Sequence, residues 1–301
     1  MPPRRLPPLR ITAYTTTTAA GPGKAALLSA LRSGKSALRA NDFGPSPLAT
    51  WIGRVAGVES QALPKPLADW DCRNNRLAWL GLLADDFIDA AHAARERYGA
   101  DRVALVLGTS TSSIGATEDA YRALDGEGRF PPDNRNPLVH TPHSLTRFVG
   151  EALALEGPSV TVSTACSSSA KVFAAAERML RLGLVDAAIV GGVDTLCGSV
   201  LFGFNALQLV SPDPCRPFDA GRITGHTLGA AGIVEAAASL LAIEHGFLPG
   251  MAGTRTLDPA CGPQIRIEPS RGEVRLVLSN SFGFGGNNCV LVLGRSAGAR
   301  A

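Results

Sequence analysis

Residues 159–170 read SVTVSTACSSSA, and this stretch decides the fold. Its first five residues alternate and carry β-branched side chains, the pattern of a buried strand. The small residues after them fit a tight turn. From Lys171 onward, Val172, Phe173, Ala176, Met179, Leu180 and Leu184 recur at helical spacing, with Lys171, Glu177, Arg178 and Arg181 between them. The passage predicts strand, turn and helix, with Cys166 at the helix N-terminus. Unpaired backbone N–H groups and the positive end of the helix dipole favour an anion there. The thiol is therefore expected to ionise more readily than free cysteine, whose pKa is about 8.5, within the roughly 3.5 to 7.5 that such sites reach. The same donors suit the oxyanion formed when a thioester carbonyl is attacked. Without that setting a free cysteine reads as a small buried hydrophobe.

Working outward, residues 103–107 (VALVL) form a continuous apolar run closed by Gly108, as expected of a strand covered on both faces. Residues 9–14 read as a first strand. Helices are predicted over 24–32, 74–94, 143–155 and 199–209. Pro45, Pro47, Pro64 and Pro66 mark 40–70 as irregular, and 125–137 (DGEGRFPPDNRNP) as a polar loop. The longest apolar segment, 227–247, carries Glu235 and Glu244 and reads as a buried helix, not a membrane span. Residues 274–278 and 289–293 flank a glycine-rich loop and are expected to pair as a hairpin. Buried strands followed by helices argue for an α/β fold.

The chain has 301 residues, 45% of them hydrophobic and 18% charged, enough for a large core in two domains or one two-part architecture. A net charge of +3 gives no nucleic-acid footprint. The first ten residues, MPPRRLPPLR, lack an apolar signal core. Cys72, Cys166, Cys197, Cys215, Cys261 and Cys289 show no metal-ligand spacing, so neither a zinc site nor a disulfide framework is expected. A reducing, cytoplasmic setting follows.

The cysteine segment resembles the nucleophile elbow of the β-ketoacyl-acyl-carrier-protein synthases, condensing enzymes of the thiolase-like superfamily. The resemblance continues in order through residues 185–194 (VDAAIVGGVD, like the family's next strand), 215–219 (CRPFD), 225–232 (GHTLGAAG, similar to the family's second histidine motif) and 280–287 (NSFGFGGN, similar to its C-terminal glycine-rich loop). It implies a thiolase-like layered α-β-α-β-α fold with a shortened C-terminal half, the N-terminal half spanning 1–218 and the C-terminal half 219–301. By resemblance, Cys166 is the acyl-accepting nucleophile, His226 the second catalytic histidine, and the backbone N–H groups of Cys166 and Phe284 the oxyanion hole. Phe282 and Phe284 match the gating aromatics of the acyl pocket, and Glu235 a supporting glutamate.

The family's long stretch between residues like 215–219 and the second histidine motif is absent, so the two motifs are fused. Its first histidine motif, of the His-Gly-Thr type, has no counterpart among His92, His140, His143 and His245. Gly221 stands where the family has a lysine, with Arg222 beside it. The resemblance implies acyl transfer to Cys166 and condensation with malonyl-acyl-carrier protein in fatty acid, polyketide or polyene synthesis, with condensation impaired by the missing groups. It implies no metal and no cofactor beyond the phosphopantetheine that carries the substrates. The partners it implies are acyl-carrier protein, for which Arg73, Arg76, Arg178 and Arg181 are candidate contacts, and a second subunit in a homodimer or heterodimer. The alternative is a non-catalytic partner subunit, like a chain-length factor, of a complete synthase.

Overall fold

The computed structural model describes residues 7–45, 47–213, 224–251, 262 and 264–295. In chain order they form β1 (Thr17–Thr18), β2 (Gly21–Pro22), α1 (Gly23–Ser33), β3 (Leu38–Ala40), β4 (Trp51–Gly53), α2 (Arg73–Leu83), α3 (Phe87–Tyr98), β5 (Val103–Gly108), α4 (Ile114–Arg122) and α5 (Ser144–Leu153). Then follow β6 (Ser159–Val162), α6 (Ser168–Arg181), β7 (Ala187–Gly192), α7 (Gly198–Ala206), α8 (Ala231–His245), β8 (Phe247–Leu248), β9 (Ser270–Arg271), β10 (Leu276–Gly283) and β11 (Asn287–Gly294).

The apolar run at 103–108 is the axis of the fold. β5 is buried along its whole length at the centre of a parallel sheet ordered β6-β5-β7, with Leu105 opposite both Ser159 and Ile189. One face of the sheet meets α5 through Leu145, Phe148 and Leu153, each fully buried in one cluster with Val103, Leu105 and Leu107, and α2 and α3 join that cluster through Ala78, Leu82 and Ala91. Burying a side chain of this size contributes about 1.5–3 kcal/mol. The other face meets α6 through Val106, Val172 and Ala176. α8 packs on α6, and Ala236 and Ile243 of α8 join Val274 and Leu293 to seat the antiparallel β10–β11 hairpin. The layers run helices, sheet, helices, hairpin: the expected α/β layering, with a short C-terminal half. Gly108 is required where α6 begins, because a Cβ there would lie 2.5 Å from the Ser169 nitrogen.

Two expectations need correction. Residues 9–14 form no strand: Leu9 and Ile11 stay exposed, and these residues and β7 both line a cavity of about 1180 Å³. A strand needs a neighbour about 4.8 Å away, and β7 has only β5 as a partner among the described residues. The helix expected over 74–94 is broken into α2 and α3 by Asp85 and Asp86, both at positive φ. The break serves α1, which has no side-chain cap from Pro22. The Asp85 carboxylate accepts the Lys24 N–H at 2.9 Å and the Thr15 hydroxyl at 3.0 Å, capping that helix from a distance.

Residues 228–245 are long and apolar enough to cross a membrane by length and composition, but half of that window is buried, packed by α1, α6 and the hairpin. The expected boundary at 218/219 lies outside the described residues, as do Cys215, Cys261, Gly221, Arg222 and the 215–219 motif.

Candidate active site

The turn between β6 and α6 is built by its own hydroxyls. Ser168 Oγ accepts the Thr164 N–H at 2.8 Å and donates to the Ala165 carbonyl at 2.6 Å, while Ser167 Oγ donates to the Thr164 carbonyl at 3.0 Å. These contacts hold Ala165 at φ +52°, a left-handed conformation costly for a residue with a Cβ. The result is a sharp elbow that leaves Cys166 half-buried while Ser167, Ser168 and Ser169 are fully enclosed.

His226 meets the thiol directly, with Nε2 at 3.0 Å from Cys166 Sγ. The backbone N–H groups of Cys166 and Phe284 also point at the sulfur, and each favours the thiolate. Burial is the larger influence, and with the Asp194 charge it pushes the thiol above its ordinary value. This overturns the expected lowering: half-enclosure removes the water that would solvate a thiolate, and two N–H donors do not make up the loss.

Asp194, just past the end of β7, was seen in the sequence only as part of the family-like 185–194 segment, yet it ties the site together. Its carboxylate accepts from the hydroxyls of Thr109 (2.6 Å), Ser110 (3.0 Å) and Thr111 (2.6 Å). It also accepts from the N–H groups of Ser110 (3.0 Å), Thr111 (2.9 Å) and Gly229 (2.6 Å). The loop after β5 and the turn following His226 are thus fastened to one charge. Gly229 can approach only because it lacks a Cβ, which would sit 2.5 Å from the Ser110 nitrogen.

Cys166, His226 and the Phe284 backbone come together; the other candidates sit apart from the sulfur. Glu235 on α8 accepts hydroxyl hydrogen bonds from Ser279 (3.0 Å) and Ser281 (3.2 Å) of β10. Phe282 is 69% exposed and Phe284 60%, the latter stacked 6.0 Å from Phe204. Neither ring lines the large cavity, which His226 and Asp194 do line. His140 pairs with Thr117 and His143 with Thr161, while His92 and His245 lie in α3 and the last turn of α8. Arg73, Arg76 and Arg181 are held by Glu59, Asp71 and Glu177, and Arg178 is exposed. Among the described residues no group of three His, Cys, Asp or Glu could hold a metal ion.

Residues 77–235 match the family model described as beta-ketoacyl synthase, N-terminal domain, more than half of the chain. The chain belongs to the beta-ketoacyl synthase family. Residues 222–255 match the C-terminal domain of the same family, and the two matches overlap at 222–235, so no chain lies between them. Nodulation protein E of Rhizobium meliloti (strain 1021) is 31% identical over 176 residues, covering 56% of this chain and 43% of the relative. The 3-oxoacyl-[acyl-carrier-protein] synthase 1 of Escherichia coli (strain K12) is 50% identical over 72 residues, 24% of this chain and 18% of the relative. The chain thus spans less than half the length of these curated relatives. Among solved structures, the ketosynthase (ApeO) in complex with its chain length factor (ApeC) from Xenorhabdus doucetiae has a TM-score of 0.82 at 26% identity, covering 95% of this chain and 97% of that one. The ishigamide ketosynthase/chain length factor has a TM-score of 0.80 at 20% identity, with coverage of 95% and 98%. These likenesses place the chain in the thiolase-like ketosynthase fold.

Proposed function

We propose that this protein accepts an acyl group from acyl-carrier protein onto Cys166, the first step of a β-ketoacyl synthase. The observation that carries the reading is the triple contact at one sulfur: His226 Nε2 at 3.0 Å and the N–H groups of Cys166 and Phe284. Because burial keeps the thiol protonated, His226 takes its proton as Sγ attacks the thioester carbonyl. The two N–H groups hold the resulting oxyanion. Collapse breaks the carbon–sulfur bond to the carrier, and the proton on His226 passes to the departing phosphopantetheine thiolate. An acyl-Cys166 thioester and free carrier thiol remain.

Condensation makes a further demand, since decarboxylation of a malonyl thioester builds negative charge that the family neutralises with two histidines. Here His226 is the imidazole hydrogen-bonded to the thiol among the described residues. Acylation therefore proceeds, and condensation is slow. The reading carries with it a cytoplasmic protein using no resident cofactor, with Phe282 and Phe284 at the acyl entrance and Glu235 bracing the glycine-rich hairpin. The test is intact-mass analysis after incubation with acyl-carrier protein bearing a saturated acyl chain. One acyl group is expected on Cys166, none in Cys166→Ala, and acylation slowed about 10²-fold or more in His226→Ala. Absence of the adduct, or its appearance on another cysteine, refutes the proposal.

A second reading is a partner subunit that supports a complete synthase. It is favoured by the likeness, over 95% of this chain, to the ketosynthase (ApeO) in complex with its chain length factor (ApeC) and to the ishigamide ketosynthase/chain length factor. Under that reading the chain forms a stable complex with a complete ketosynthase, and Cys166→Ala leaves the output of that complex unchanged.

A further inference from the structure

One edge of β7 has no strand beside it among the described residues, and it borders an apolar slot. Leu105 and Thr109 donate their N–H groups to Pro158 and Val162 on the β6 side, while Val193 donates to Gly108 on the other side, so the register ties Ala187, Ile189 and Gly191 to β5. Alternate residues of a strand turn their backbone groups to opposite edges, which points the N–H and C=O groups of Ala188, Val190 and Gly192 away from β5. No described residue hydrogen-bonds to them. The cavity of about 1180 Å³ is lined by all of β7 and by residues from both helix layers that cover the sheet. Leu82, Phe87 and Ala91 line it on the face of Ile189, and Phe173 and Ala176 on the face of Ala188 and Val190. Thr17 lines it too, with an Oγ1 that is buried and has no hydrogen-bond partner among the described residues.

We propose that this slot takes one extended apolar strand from a separate polypeptide, added to β7 by backbone pairing. The edge sets the chemistry of the occupant. A hydrocarbon chain would fill the volume but leave the outward N–H and C=O groups without partners, whereas a peptide backbone supplies an acceptor and a donor at every second residue. The size agrees with one strand. A strand residue takes about 3.3 Å along the chain, 4.8 Å across the sheet and 10 Å through the packed layer, roughly 160 Å³. A cavity of about 1180 Å³ therefore holds about seven such residues, and β7 itself has six. Cover on both faces sets the side chains: a strand lying between two helix layers carries a continuous run of Val, Ile and Leu, not an alternating one. Edges that stay open to solvent are blunted by lysine, proline or inward charges, and 187–192 (AAIVGG) contains none of these. Leu9 and Ile11, exposed on the wall of the same cavity, would gain cover from the added strand.

The test uses the full chain. Amide hydrogen exchange of the protein alone should be fast at Ala188, Val190 and Gly192 and slow at Ile189 and Gly191; protection at all five means that the edge is already covered and overturns the proposal. A displayed library of random nine-residue peptides is then selected against the chain. The recovered sequences should share a proline-free apolar run rich in Val and Ile, and as synthetic peptides they should slow exchange at the three edge amides. Recovery of no such sequence overturns the proposal. N-methylation of alternate residues in the best peptide should weaken binding at least about 10-fold in one phase and far less in the other. Equal effects in both phases, or none, would mean that the cavity reads only apolar volume, and the strand assignment falls. Val190→Pro removes an outward N–H and leaves the β5 ladder whole, so the variant should fold and lose the peptide. A folded variant that keeps the peptide places the contact elsewhere and also overturns the proposal.

Discussion

Replacing Asp194 by Asn should lower stability and at the same time make Cys166 easier to ionise. The carboxylate serves donors on Thr109, Ser110, Thr111 and Gly229, and the side chains of Thr109 and Thr111 are almost wholly buried. An amide keeps one acceptor but turns an NH2 group toward either the Gly229 N–H or the threonine donors. A charge-assisted hydrogen bond contributes about 1.5–3 kcal/mol and an unsatisfied buried donor costs about 1–3 kcal/mol, so a loss of about 3 kcal/mol is expected. At roughly 2 to 4 °C per kcal/mol, the melting temperature should fall by about 6 to 12 °C. The thiol moves the other way: the Asp194 charge is one of the influences that raise its pKa, so removing that charge lowers it. The assay is the pH profile of iodoacetamide alkylation at Cys166, read by peptide mass spectrometry alongside a thermal melt. A folded variant whose alkylation profile stays put, or moves to higher pH, refutes the electrostatic reasoning. An unchanged melt refutes the role as a tie.

Alkaline pH should weaken the fold through Cys72 and Cys197, whose burial pushes each thiol from an ordinary 9.0 up to about 11. The neutral form is the one the folded state favours, so their contribution is complete below the unfolded value and lost as pH rises from 9 toward 11. That amounts to up to about 2.7 kcal/mol for each. Urea midpoints between those limits should fall, and the slope should flatten in Cys72→Ala/Cys197→Ala; an identical slope in the variant contradicts this origin. Gly108→Ala should cost about 3 kcal/mol and reduce thiol reactivity, because the new methyl meets the backbone nitrogen of Ser169. Wild-type stability by chemical denaturation would count against that contact. Glu235→Ala should cost about 2 kcal/mol and speed amide exchange across 276–283, with Glu235→Gln retaining most of the protection. Equal exchange in all three proteins would remove Glu235 from its bracing role.

What was legible in the sequence was local. The strand, turn and helix around Cys166, the buried run at 103–108 and the C-terminal hairpin announce themselves through period and β-branching over a few residues. His226 and the Phe284 loop were found by motif. The work of Asp194 was not visible, since its donors come from 109–111 and from Gly229, far apart in the chain and joined only when β5 and β7 align. The raised thiol was missed for a related reason: the helix terminus is readable from residues, whereas burial depends on everything folded around it. The break at Asp85 and Asp86 carries no glycine or proline to announce it, and its cause is the distant N-terminus of α1.

The hairpin that delivers the Phe284 N–H is the last described part of the chain to be synthesised. At about 5–20 residues per second, Cys166 leaves the ribosome roughly 6 to 24 s ahead of Phe284. During that interval the nascent thiol lacks one of the two amides that favour its anion, and for much of it His226 as well. Translation order alone thus keeps the His226 imidazole and the Phe284 N–H away from the sulfur until their segments have been made, and premature termination before residue 276 would release a chain that has Cys166 but not the hairpin that carries Phe284.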